Sequence, residues 1–154
     1  MVERAPPTRR RDYPLCELVP TRWADNDIYG HVNNVIYYSL IDTAVNGAML
    51  RATGMNIHTA AKIALVVESG CRYHAPLEFP QEIALGLKVA RLGRTSVTWN
   101  IGLFAAAEGA DARAAADAHF THVFVTREDT RPTPWTEPFR TFFQTAMDET
   151  SLTG

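Results

Sequence analysis

This sequence predicts an α+β domain in which an antiparallel sheet curls around one long helix. The first observation behind that expectation is the stretch "NVIYYSLIDTAVNGAMLRATG", which is long, mostly apolar and free of proline. Tyr37, Leu40, Ile41, Ala44 and Ala48 recur within it at helical spacing. The second is a series of alternating or continuous apolar runs downstream of that stretch, bounded by Gly, Pro and Asp. Connections between them such as "LGRT" are too short for a crossover helix, so the strands are expected to be antiparallel neighbours.

Taken in chain order, the first element is "MVERAPPTRRRDYP", charged and proline-rich, so residues 1–14 read as a flexible arm. "CELVPTRW" reads as a short strand in which Pro20, lacking an N–H, marks an edge or a bulge. Asn33 or Asn34 can cap the long helix and Gly54 can end it. Only Asp42, Asn46 and Arg51 strongly interrupt its apolar surface, and a helix that apolar on most sides has to be wrapped. "KIALVVESGCRYHAPL" begins the wrapping as a nearly continuous apolar run. "EIALGLKVARLG" continues it, alternating Ile83, Leu85, Leu87 and Val89. "RTSVTWNIGLFAA" alternates Val97, Trp99, Ile101 and Leu103, and "AADAHFTHVFVTRED" alternates again. "AAAEGADARAAA" has the alanine content of a helix, but Gly109 and the flanking strands favour a hairpin loop. Residues 15–145 form one domain on this reading, with 146–154 as a tail and no internal repeat.

Composition narrows the function classes. The chain has 154 residues, 46% hydrophobic and 21% charged, which is the balance of a single soluble globular domain with a real core. A net charge of −2 gives no global reason to expect nucleic acid. The basic N-terminus has no apolar run behind it, so it is not a secretory signal, and no stretch approaches the roughly 20 apolar residues a membrane span needs. Cys16 and Cys71 make no disulfide or metal pattern. A cytoplasmic location is the expectation.

The chemistry concentrates in "RWADNDIYGHVNN", Arg22 to Asn34, which places two acids, a glycine, a histidine and two asparagines just before the helix. A carboxylate there can act as a nucleophile or as a base on water. The free N–H groups of the helix start, reinforced by the helix dipole, can stabilise a developing oxyanion. Gly30 lets the chain turn tightly between the two.

"DNDIYGHVNNVIYYSLIDTA", followed by "VVESGCRYHAPLEFPQEI" and "RLGRTSVTWNIGLF", resembles the 4-hydroxybenzoyl-CoA thioesterase-like branch of the hotdog-fold acyl-CoA thioesterases. The likeness runs from about Glu17 to Pro134, and D-x-D-x-x-G-H-V-N-N before a long helix is its most specific part. It implies a hotdog fold and hydrolysis of an acyl- or aroyl-CoA. It also implies that Asp27 is the catalytic carboxylate and that the backbone N–H of Asn34 polarises the thioester. His31 is implied to line the site, while Asn33 is either the helix cap or a substrate contact. Glu68 stands where some relatives carry a strand or helix acid and is a secondary candidate. In "ARLGRTSV", Arg91, Arg94, Thr95 and Ser96 match the turn that contacts the nucleotide, in keeping with the preference of phosphates for arginine forks.

The remaining polar residues read differently. Asp25 is more often a turn or positioning residue than a catalyst. Asp25, Asp27 and His31 have the right ligand types for a metal, but the resemblance implies neither metal nor cofactor. His74 and Cys71 read as packing residues, Asp42 as a structural or outward acid, and Arg127 with Arg131 as a weaker phosphate set. Three other readings stay open beside acyl-CoA hydrolysis: an acyl-carrier-protein thioesterase, a hotdog hydratase or dehydratase, and a non-catalytic acyl-CoA binding module. The resemblance further implies a homodimer or a dimer of dimers. An edge strand left bare by a single small sheet points the same way.

Overall fold

The computed structural model describes residues 4–147. Five strands form one antiparallel sheet: β1 (Leu15–Pro20), β2 (Lys62–Tyr73), β3 (Glu82–Leu92), β4 (Ser96–Ala105) and β5 (Ala116–Thr126). The long helix α1 (Asn34–Thr53) lies in the sheet's concave side, and a short helix α2 (Phe139–Thr145) closes one end. This is the expected α+β arrangement.

Helix α1 forms where its caps predict. Asn33 is the N-cap, its side-chain oxygen accepting the Val35 N–H at 3.2 Å. Gly54 ends the helix at φ 68°, a left-handed value only glycine reaches at low cost, and its N–H bonds the Leu50 carbonyl. Tyr37, Leu40, Ile41, Ala44, Val45, Ala48 and Met49 form the buried stripe. They meet Ile83, Leu85, Leu87 and Val89 of β3 and Val97, Trp99, Ile101 and Leu103 of β4, so every residue of both predicted alternations points at the helix.

Strand order departs from the expected run of neighbours. The sheet is ordered β1-β3-β4-β5-β2. The β3–β4 and β4–β5 hairpins form, the latter across the alanine-rich loop, which holds a short 3-10 turn at Ala106–Glu108. β2 instead pairs with β5, and β1 pairs with β3. β1 and β2 are therefore the two edges. β1 has six residues and ends on Pro20; β2 has twelve and exposes Leu65, Val66 and Val67.

The arm expected to be flexible is laid on the convex face from Thr8 onward. The Thr8 N–H bonds the Asp117 carboxylate at 3.2 Å, and Arg9 bridges to Arg113. Tyr13 lies across Gly86 and Gly102, which face each other in β3 and β4; a Cβ on Gly86 would come within 2.5 Å of its ring. At the other terminus, the boundary drawn at 145 falls short. Ala146 is buried, Val89 N–H bonds its carbonyl, and Met147 packs on the core. Residues 148–154 lie outside the described residues.

Candidate active site

The Arg22–Asn34 loop is built on one buried carboxylate. Asp25, 1% exposed, accepts the Arg22 backbone N–H at 2.8 Å and two guanidinium N–H groups at 3.0 and 2.8 Å. A carboxylate that buried needs partners for its oxygens, and these three donors supply them. Its backbone carbonyl then takes the Asn33 N–H, fixing the cap residue of α1. Asn26 holds the other side: its amide oxygen accepts the Phe79 N–H at 3.0 Å, and the Val32 N–H bonds Leu77. The loop is thus tied to the residues leading into β3.

Asp27 sits at the tip, half-buried. One carboxylate oxygen accepts the Tyr29 N–H at 2.8 Å, its own N–H bonds the His31 carbonyl, and its carbonyl accepts the Gly30 N–H. Gly30 adopts φ 83°, so the turn needs a residue without a Cβ. His31 has an exposed side chain; its contribution to the loop is the backbone carbonyl. Among the described residues the Asn34 N–H has no hydrogen-bond acceptor, as expected for the first residue of a helix. A carboxylate with an open oxygen and a helix-start N–H without an acceptor among the described residues, seven positions apart across a tight turn, are the group types that attack on a carbonyl and its polarisation require.

A group with no local signal in the sequence completes the frame. The Tyr73 hydroxyl, at the end of β2, donates to the Asn34 carbonyl at 2.8 Å, and its ring packs edge-on against Tyr37 at 4.9 Å. Burial pushes this phenol's pKa well above its ordinary range, which favours the protonated, donating form. Burial raises the neighbouring Cys71 thiol as well, leaving it an inert packing group.

Other candidates lie elsewhere. A register shift between Val66 and Glu68 turns Glu68 to the convex face opposite Thr121, where its carboxylate lies 3.3 Å from His119. It does not meet Asp27 within one chain. Arg91 and Arg94 are exposed at the β3–β4 hairpin with Thr95 and Ser96, at the end of β3 opposite the strand start that holds the Asp27 loop. His74 packs 2.9 Å from Asp117 under the N-terminal arm. Arg127 is occupied on the carbonyls of Ala60 and Ile57, and Arg131 pairs with Asp129. Asp42 is exposed in mid-helix, and partial burial pushes its carboxyl upward. With Asp25 turned inward to Arg22, Asp25, Asp27 and His31 do not converge. Among the described residues no three His, Cys, Asp or Glu side chains could hold a metal ion, and no helix is long and apolar enough to cross a membrane.

The sequence profile of the thioesterase superfamily matches residues 29–112, more than half of the chain. This chain belongs to the thioesterase superfamily. It is a thioester hydrolase with the hotdog fold. Among solved structures, the PA5185 protein of Pseudomonas aeruginosa is similar at 42% identity and a TM-score of 0.89, over 94% of this chain and 99% of that one. Two named enzymes share the architecture at lower identity. The 1,4-dihydroxy-2-naphthoyl-CoA thioesterase of Synechocystis is 16% identical with a TM-score of 0.72, over 84% of this chain and 94% of that one. A Thermus thermophilus thioesterase, solved with coenzyme A and Zn, is 24% identical with a TM-score of 0.68, over 86% and 98%. At those identities the two bear on fold alone. No curated protein matches the chain.

Proposed function

We propose that this thioester hydrolase acts on acyl-CoA, with Asp27 as nucleophile or general base and the Asn34 N–H polarising the thioester carbonyl. The observation that supports it most is the pairing of a half-buried Asp27 carboxylate, bonded on one oxygen, with the unoccupied N–H at the start of α1. In the base route, water adds to the carbonyl carbon as its proton passes to Asp27. The C–S bond then breaks and that proton goes on to the departing sulfur. Where Asp27 itself attacks, its oxygen bonds the carbonyl carbon as the C–S bond breaks and coenzyme A leaves as the thiolate, and water then cleaves the acyl anhydride to free acid and Asp27. In both routes negative charge gathers on the carbonyl oxygen, where a fixed backbone donor helps most.

The working unit is a homodimer joined along β2. That edge is a twelve-residue strand with one side unpaired, and it carries three exposed aliphatic side chains, Leu65, Val66 and Val67. An antiparallel β2–β2 contact brings the Arg91–Arg94 hairpin of one subunit towards the Asp27 loop of the other, which places the arginines for the phosphates of coenzyme A.

The test is release of free thiol from a panel of acyl-CoAs. Asp27→Asn keeps the Tyr29 bond but loses nucleophile and base, so kcat should fall by at least about 10²-fold with the melting temperature unmoved. Near-native turnover in that variant would overturn the assignment.

A further inference from the structure

The convex face of the sheet takes no part in the chemistry proposed above, yet it carries a cavity of its own. About 550 Å³ opens between the strands and the N-terminal arm, a volume in the range of small-molecule sites. Its floor follows from register. Opposed residues of an antiparallel pair share a face, so Gly70, His119, Asn100 and Lys88 form one outward row across β2, β5, β4 and β3. Arg72, Asp117, Gly102 and Gly86 form the next row along. Tyr13 lies on the two glycines of that second row, and Ala5 and Pro6 of the arm border the space. In the first row the His119 ring folds over Gly70, where a Cβ would come within 2.3 Å of it. The floor therefore stays low, and the space above it stays open.

What the cavity can hold depends on which of its polar groups are already used. Its acids are committed to the arm and to His74. Asp117 receives the Thr8 N–H at 3.2 Å, the Thr8 hydroxyl, the Tyr13 hydroxyl at 3.3 Å and His74 Nε2 at 2.9 Å. Asp12 takes the Arg9 N–H at 2.8 Å on one oxygen. The donors are less occupied. Among the described residues neither the Arg72 guanidinium nor the Asn100 amide has a hydrogen-bond partner, and both line the cavity. Such a lining favours a ligand that brings its own acceptors. A guanidinium's forked N–H groups match two oxygens of a carboxylate or a phosphate.

We propose that this cavity is a second ligand site, which takes a small molecule bearing an oxyanion, a carboxylate or a phosphate, on Arg72 and Asn100 beneath the arm. The site is separate from thioester hydrolysis. Arg72 and Tyr73 are neighbours in β2 and point to opposite faces, and it is Tyr73 that bonds the Asn34 carbonyl at the start of α1. The ligand thus lies across the sheet from the Asp27 loop. Because arm and strands both border the cavity, a bound molecule ties one to the other, and the arm reports its presence.

Calorimetric titration with citrate and with inorganic phosphate tests the site, and limited trypsin digestion tests the arm, which trypsin can cut at Arg9, Arg10 and Arg11. At least one probe should bind once per chain. At ten times its dissociation constant it should slow cleavage of the arm about tenfold, the factor by which it depopulates the open form. Arg72→Gln and, separately, Asn100→Leu should each weaken binding at least tenfold without moving the melting temperature of the unliganded protein. Arg91→Ala with Arg94→Ala should leave binding unchanged, which separates this site from the hairpin proposed for coenzyme A. Binding of citrate alone assigns the site to carboxylates, binding of phosphate alone to phosphates, and binding of both to the chemistry they share. Binding of neither probe overturns the proposal, as does binding that Arg72→Gln leaves undiminished or that leaves arm cleavage unchanged.

Discussion

The two ends of α1 are built on opposite principles. At its start, the Arg22–Asn34 loop leaves Trp23, Ile28 and Tyr29 82%, 93% and 79% exposed, and is held mainly by single hydrogen bonds. Towards its end the fold is closed by a cluster of aromatic rings. Trp135 stacks on Phe124 at 4.5 Å and meets Phe143 edge-on at 4.7 Å, while Phe139 and Trp99 complete the group. Stability resides at the aromatic end, and chemistry is proposed at the loop end. This division follows from physics: a group that must meet substrate cannot also be sealed in a core, so functional loops come from the less stable part of a structure.

Substitutions at either end put the division at risk. The largest effect expected is from Phe143→Ala at the packed end. Phe143 is fully buried among aromatic rings, and its truncation should cost about 3–5 kcal/mol in denaturant unfolding while the folded fraction keeps its kcat. A loss of kcat without a loss of stability would dissolve the division.

His122 comes next, near the same end. Buried beside Phe120 with Nδ1 unbonded among the described residues, it is held neutral, its pKa pushed down from 6.5 to about 4 by burial. The unfolded chain therefore takes up a proton between those values that the fold refuses. The stabilising contribution is whole above pH 6.5, falls as pH drops through the window, and stops falling near pH 4; over that span it is about 3 kcal/mol. His122→Leu should flatten that part of the stability–pH curve, and an unchanged slope would refute the origin.

Asp25 tests the join between the ends. Asp25→Ala strands the Arg22 donors and loosens the turn whose Asp25 carbonyl holds the Asn33 N–H, so it should cost about 1–3 kcal/mol and also lower kcat, where Asp27→Asn lowers kcat alone. The smallest effect is at the hairpin. Arg91→Ala with Arg94→Ala should raise KM for acyl-CoA a few-fold and leave a short thioester lacking the nucleotide unaffected. Equal losses on both substrates would assign the arginines a structural role.

Much of this was legible in the sequence because it is local. The α1 caps are set by Asn33 and Gly54, the inward faces of β3 and β4 by strict alternation, and the loop by residues within a dozen positions of one another. What escaped is non-local. Alternation says which way a side chain points but not which strand lies beside it, so the β2–β5 pairing and the distant placing of β2 from β3 were out of reach. A single-residue register shift reversed the face of Glu68. The arm is held by contacts such as Thr8 to Asp117, 109 positions away, which no local composition reveals. Tyr73 looked like one more aromatic residue in a strand, since its partner is a backbone carbonyl.

The inequality of the sheet's two edges has a consequence for assembly. β1 is short and ends on a proline, while β2 is long, open and apolar. In the language of polymer chemistry, the proposed β2 contact would make the subunit monofunctional: it carries one coupling edge, and coupling would consume it. Two copies joined that way would present only the short β1 edges to a third, so growth of the sheet would end at the first step. A sheet with two edges like β2 would be bifunctional and would condense without limit into a fibre. Pro20, with no N–H to offer, is a chain stopper written into the sequence.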